Sequence, residues 1–266
     1  MQILKVQGDL ESFRAQGSNI AFIPTMGALH AGHLALVEEG LRQADRVIVS
    51  IFVNPTQFAP HEDFSSYPRT QEADIEKLEA VGAQAVWLPA EEDIYPDGRA
   101  ADIKAGDLAK PLEGEFRPHF FDGVVSVVSR LFDAVQPDIA IFGEKDFQQL
   151  QVIRHMVKAQ GKNIDIIGAP IVRDENGLAL SSRNAYLSSD EYKIAISLNK
   201  ILYRLACGDL MENQAHEKLL SAGFDKVDYC TARNGQTFLP VNPNRVLAAA
   251  WLGKTRLIDN MAIEDK

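Results

Sequence analysis

Cysteine is nearly absent: only Cys207 and Cys230 occur in 266 residues, with no Cys-x-x-Cys pair and no Cys/His spacing suited to a metal. A framework of disulfides is excluded, and although one bridge is arithmetically possible, two thiols in a chain this long read as reduced and cytoplasmic. Long apolar runs are missing too. None approaches the roughly 18 residues that span a bilayer, so no membrane partner is expected. The opening Met1-Gln2-Ile3-Leu4-Lys5-Val6-Gln7-Gly8-Asp9 has neither the basic nor the apolar stretch of a targeting segment. Positive charge is in deficit, with 27 Lys and Arg against 37 Asp and Glu and a net charge of −10. That balance opposes a protein that coats nucleic acid, which must neutralise many phosphates. It leaves room for a small anionic substrate, since a few local cations overcome a distant, screened charge. No Gly-x-Gly-x-x-Gly fingerprint is present. Gly253-Lys254-Thr255 looks like the end of a P-loop, but Ala248 stands where that loop needs its first glycine. A nucleotide, if bound, must be held by another device.

What is there is an ordinary soluble composition, 46% apolar and 24% charged, arranged in a regular alternation. Apolar strand-like runs at 20–23, 46–53, 85–88, 138–142 and 164–172 alternate with helical spacing over 32–44, 70–81, 122–135 and 146–160. Continuous apolar strands alternating with helices predict an α/β fold, a doubly wound, Rossmann-like parallel sheet. Beyond about Ser188 the rhythm changes to helices over 190–206 and 211–222, then strands over 226–231 and 245–251. The expected division is a Rossmann-like domain over 1–175 and a smaller α+β C-terminal domain over 176–266. No internal repeat or low-complexity tract is found.

Four polar segments sit where strands end. Thr25 to His33 joins the first apolar strand to a helix, in the loop position where open α/β sheets bind ligands. There Gly27 and Gly32 allow close backbone approach. His30 and His33, three apart, share a face beside free N–H groups and the positive helix end. Two such imidazoles can donate to phosphoryl oxygens as charge builds. Asn54 and Gln57 follow the next strand, neutral amides suited to a ligand bearing hydroxyls and a carboxylate. Tyr67-Pro68-Arg69 reads as a structural element or part of a lid over 63–69. Gly143-Glu144-Lys145-Asp146 ends another strand, with a cation where phosphate would rest and Gln149 one turn further on. Leu180-Ser181-Ser182-Arg183 offers two hydroxyls and a guanidinium, the makings of a phosphate clamp.

Together these residues resemble a known family. His30-Ala31-Gly32-His33 is similar to the HIGH signature of class I nucleotidyltransferases, and Leu180 to Arg183 to its KMSKS-type partner. The strings PTMGALHAGH, SIFVNPTQF, FGEKDFQQL and LALSSRNAYL, with Leu257-Ile258-Asp259-Asn260 near the end, resemble those of pantoate–β-alanine ligases. The resemblance implies ATP-dependent condensation of pantoate with β-alanine through a pantoyl-adenylate, with Mg²⁺ accompanying ATP and a homodimeric state. It implies that Met26, Gly27, Ala28, Leu29, His30, Ala31, Gly32 and His33 bind ATP, with His33 a proton donor and His30 its phosphate-stabilising companion. Gly143, Glu144, Lys145 and Asp146 would hold ribose and phosphates, Lys145 steadying the pentacovalent phosphorus. Val172 would meet adenine, and Leu180, Ser181, Ser182 and Arg183 would close over the phosphates. Gln57, Gln149 and Asn54 would hold pantoate, Gln57 also lying close to β-alanine. His119 is displaced by one from the position where relatives carry a histidine, and Leu180 replaces a methionine. The metal ligands are not legible. The rival reading is an adenylyltransferase of the same superfamily acting on another small acceptor.

Overall fold

A strand covered on both faces has no use for a polar side, and the continuous apolar runs accordingly become a parallel sheet. The computed structural model describes residues 1–58 and 64–263. Of the 63–69 lid expectation, residue 63 lies outside the described residues. The first half of the chain forms β1 (Gln2–Leu4), α1 (Gln7–Arg14), β2 (Ile20–Thr25), α2 (Ala31–Gln43), β3 (Arg46–Ile51), α3 (Gln71–Val81), β4 (Ala85–Trp87), α4 (Glu91–Ile94) and α5 (Glu113–Phe116). It continues through α6 (Phe120–Val135), β5 (Ile139–Gly143), α7 (Phe147–Ala159) and β6 (Asp165–Ala169). The remainder forms α8 (Ser189–Ala195), α9 (Ser197–Ala206), α10 (Glu212–Ala222), β7 (Lys226–Arg233), β8 (Arg245–Leu252) and β9 (Thr255–Ala262).

Strands β1 to β6 pair in the order β1-β4-β3-β2-β5-β6, every pairing parallel. Side-chain alternation divides the core in two. Phe22, Ile48, Ala140 and Ile166 meet Leu10 and Phe13 of α1, Phe132 of α6 and Ile153 of α7. On the opposite face Ala21, Ile23, Val47 and Ile141 meet Val37 of α2 and Leu78 of α3. The strand order reverses between β2 and β5, and the crevice at that reversal, outside the strand carboxyl ends, is the ligand position of such sheets. β2 runs one residue past Pro24. Its missing N–H falls on the β5 side, where registered pairing is confined to Ala21 and Phe22, so no ladder bond is lost.

The chain packs as two compact units. One comprises Met1–Glu144 with Gln148–Pro170, the other Lys145–Phe147 with everything from Ile171 onward. The second unit is an antiparallel sheet, β7-β8-β9, whose Val246, Ala248, Ala250 and Leu257 pack on Leu198, Leu202 and Leu219 of the helices. Its third strand was not expected, because Arg256, Asp259 and Asn260 break the apolar pattern of β9. The helix predicted over 190–206 divides at Ile196, where the Ser197 hydroxyl donates to the Ile194 carbonyl at 2.7 Å. Gly253 and Lys254 are the two-residue turn between β8 and β9, which disposes of any P-loop reading. Both cysteines are free thiols, and burial, with Glu212 nearby, pushes the Cys230 thiol up to about 12. No helix among the described residues is long and apolar enough to cross a membrane.

Candidate active site

The loop between β2 and α2 is held from beneath. Gly27 and Ala28 lie in the left-handed region, at φ +82° and +51°. A Cβ on Gly27 would stand 3.0 Å from Ile51 Cγ2 and 3.1 Å from Asp74 Oδ2, so both conformation and space require glycine. Ala28 and Leu29 donate their N–H groups to the two carboxylate oxygens of Asp74, at 2.9 and 2.8 Å. Asp74 is 0% exposed, and it also accepts from the Thr70 hydroxyl at 3.1 Å. Lys77 stands 3.9 Å from the same carboxylate and donates to the Leu29 carbonyl at 2.7 Å. A buried charge needs this kind of multiple pairing.

His30 and His33 cap α2 reciprocally. Nδ1 of His30 accepts from Gly32 N–H at 3.1 Å, and Nδ1 of His33 accepts from His30 N–H at 3.4 Å. The rings are 4.1 Å apart between centroids. With Nδ1 of each ring occupied as an acceptor, the proton of a neutral imidazole resides on Nε2. Both rings are thus preset as Nε2–H donors. The expected free backbone N–H groups are not found at most positions here. Those of Gly27, Ala28, Leu29, His30, Gly32 and His33 already donate within the protein. The side chains, not a backbone cradle, are therefore the chief donors this loop can offer an anion.

Beside it, β3 leads into Asn54 and Gln57. Asn54 is 1% exposed, and its amide is consumed internally. Its oxygen accepts from Tyr95 Oη (2.6 Å), Thr56 Oγ1 (3.0 Å) and Thr56 N–H (3.3 Å). Its nitrogen donates to Gln57 Oε1 at 3.1 Å and to the Gly123 carbonyl at 3.3 Å. The Thr56 N–H and the Gly123 C=O can each play one role only, so the orientation of Asn54 is fixed, and that of Gln57 with it. Gln57 turns its nitrogen away from Asn54, towards Met26 Sδ at 3.0 Å. The ATP-loop candidate Met26 and the pantoate candidate Gln57 are thus neighbours, while Asn54 serves as Gln57's support.

β5 pairs with β2, so Gly143 and Glu144 emerge at the same sheet edge. Glu144 lies against Gly168, where a Cβ would come 3.2 Å from its Cγ. The two glutamines that follow differ in kind. Gln148 is buried, accepting from Glu113 N–H and donating to the carbonyls of Leu108 and Pro111, whereas Gln149 is half-buried. His119 does not join His30 and His33. It caps α6 in the left-handed region (φ +71°) and lines a separate cavity of about 450 Å³ with Lys104, Lys110, Arg117 and Asp122. Tyr67 is buried against Phe58, a packing role.

The second unit gathers the other candidates. Lys145 stands 3.8 Å from Asp146. Val172 and Leu180 are cross-paired, with Leu180 N–H on the Val172 carbonyl at 2.9 Å and a bridge between Arg173 and Ala179. The Ser181 hydroxyl caps the turn of Ser182–Tyr186 by accepting from Arg183 N–H at 3.3 Å. Among the described residues no group of three His, Cys, Asp or Glu side chains could hold a metal ion.

Known proteins resemble the chain along its length. A family model described as pantoate-beta-alanine ligase matches residues 1–262. Pantothenate synthetase of Hyphomonas neptunium is 46% identical, over 97% of this chain and 94% of its own length. That of a Bradyrhizobium species is 47% identical, over 96% and 94%. Among solved structures, pantothenate synthetase of Thermus thermophilus superposes with a TM-score of 0.93 at 38% identity, covering both chains fully. Pantoate-beta-alanine ligase of Francisella tularensis, complexed with beta-gamma ATP and beta-alanine, gives 0.87 at 36% identity, over 100% of this chain and 99% of that one. With both the sequence match and the fold extending across the whole chain, this protein belongs to the pantoate-beta-alanine ligase family.

Proposed function

We propose that the chain condenses pantoate with β-alanine, driven by ATP cleavage, and that the residues gathered above carry the reaction. The pantoate carboxylate attacks the α-phosphorus of ATP and pyrophosphate leaves, giving pantoyl-adenylate. The β-alanine amine then attacks the acyl carbon, AMP leaves on its phosphate oxygen, and the amine gives up a proton. In-line displacement at phosphorus asks for positioning and charge stabilisation, not a protein nucleophile. The observation that carries the reading is the pair of imidazoles whose Nδ1 atoms are occupied by backbone N–H groups. In a neutral ring the proton then resides on Nε2, the atom that would donate to phosphoryl oxygens, His33 being the proton donor. Gln57 offers its amide nitrogen to pantoate and incoming β-alanine, with Gln149 as its companion. Lys145 meets the transferring phosphorus, Val172 the adenine, and Leu180 to Arg183 the phosphates. Asn54 acts through Gln57. Mg²⁺ enters with ATP as its accompanying cation. A homodimer accompanies this reading through the family resemblance, and a cytoplasmic setting through the scarcity of cysteine.

The test is ATP–pyrophosphate exchange. Exchange should require pantoate, and His33→Ala or Lys145→Ala should lower turnover at least about a hundredfold, the usual loss for a transition-state donor. Exchange supported by a mononucleotide in place of pantoate would favour the adenylyltransferase alternative.

A further inference from the structure

The run Leu257-Ile258-Asp259-Asn260 takes no part in the chemistry described so far, yet two of its members are buried polar residues tied to candidate ATP-binding segments. Asn260 is 2% exposed. Its amide nitrogen donates to the backbone carbonyl of Lys145 at 2.9 Å, across 115 positions of sequence. Its oxygen accepts from the Arg245 guanidinium. A carbonyl can only accept and a guanidinium can only donate, so the amide has a single orientation. The Arg245 Cζ in turn stands over the Phe147 ring, 3.7 Å from its centroid, and Phe147 meets Phe238 edge-on at 6.1 Å. The turn is thus held by its backbone at Lys145 and by the side chain of Phe147 two residues later.

The neighbour Asp259 makes the support rigid. It takes Arg173 in a two-pronged pair at 2.7 and 2.8 Å and accepts the N–H of Asn260 at 2.8 Å. Arg173 directly follows Val172 in the chain.

We propose that Asn260 is a positioning residue for Lys145, fixing the turn from which that ammonium is presented. The inference rests on the assignment of Lys145 made above. It follows from the donor–acceptor pattern, because this amide ties the Lys145 carbonyl to β9 and is itself aligned from both sides.

The substitution Asn260→Asp isolates this one contact. The carboxylate still accepts from Arg245 but turns an acceptor against the Lys145 carbonyl. Pantoate-dependent ATP–pyrophosphate exchange should fall about a hundredfold, the scale of a misplaced reacting group, while the KM for β-alanine in the full reaction stays within about twofold. The decisive comparison is a double-mutant cycle with Lys145→Ala. If Asn260 acts through Lys145, then Asn260→Asp should cost less than about threefold in the Lys145→Ala background. Equal losses in both backgrounds, or wild-type exchange in Asn260→Asp, would overturn the positioning role. Should Asn260→Asp lack a cooperative unfolding transition, Asn260→Ala, which leaves no like-for-like repulsion, is carried through the same cycle with the same criteria. Absence of pantoate-dependent exchange in the unmodified protein would instead sink the functional reading itself.

Discussion

Asp74 places a carboxylate beneath a loop read as meeting phosphate, an arrangement that makes sense only through its hydrogen bonds. Two adjacent N–H groups need two acceptor atoms at fixed positions, and a carboxylate supplies both. In Asp74→Asn one oxygen becomes a donor facing a donor. The expected outcome is a stability loss of about 1–3 kcal/mol, the penalty for an unpaired buried polar group, read from denaturant unfolding. The KM for ATP should rise well beyond that for β-alanine. The helical spacing over 70–81 singled out no residue of that helix as a site candidate, Asp74 included. The signal was nevertheless there, since 74 and 78 are one turn apart and share the buried stripe. Asn54 taught the converse. Its residue type suited a ligand, but Tyr95, Thr56 and Gly123 take up its hydrogen bonds first.

At the level of elements, α6 approaches the Pro55–Gln57 turn more closely than its sequence suggests. A Cβ on Gly123 would stand 2.4 Å from the Thr56 carbonyl oxygen and 3.0 Å from Gln57 N. Because the obstacle is backbone, it cannot rotate aside. Gly123→Ala should therefore cost about 1–3 kcal/mol from overpacking and displace Gln57, raising the KM for pantoate in steady-state assays. A drop in unfolding midpoint with unchanged pantoate kinetics would show that the turn moves without its glutamine. Most helices and strands were legible because each buries an apolar stripe, but α1, α4 and α5 were not anticipated. β1 and β9 escaped notice, the first for its three-residue length and the second for its polar members.

For the whole molecule, the acid limb of stability has an identifiable source in the second unit. Burial pushes the Asp228 carboxyl up, but hydrogen bonds from Lys226, Arg256 and the Trp251 indole outweigh it and hold the group below its ordinary value. A carboxyl depressed in the folded state stabilises fully above its unfolded pKa, about 3.9. That contribution is lost as pH falls through the lower folded value. Thermal midpoints should be level from neutral pH to about 5 and then decline. The decline should be shallower in Asp228→Asn, relative to its own neutral-pH midpoint. Identical acid limbs in the two proteins would assign the effect elsewhere, for instance to Asp174, whose burial is likewise outweighed, by Tyr192 and backbone N–H groups.

Apolar periodicity and strand-end position are local properties of the chain, and they were enough to set the strand–helix alternation, the class of sheet and the loops proposed to carry the chemistry. Which polar groups are presented and which are consumed was settled by folding alone. Gln148 and Gln149 are adjacent and identical in type, yet the first is buried under three hydrogen bonds and the second stays half-exposed. The partners that make such distinctions lie far away in sequence, 45 positions from Leu29 to Asp74 and 115 from Lys145 to Asn260. A hydrogen bond is decided by a few tenths of an ångström and an angle, and neither is written in composition or spacing.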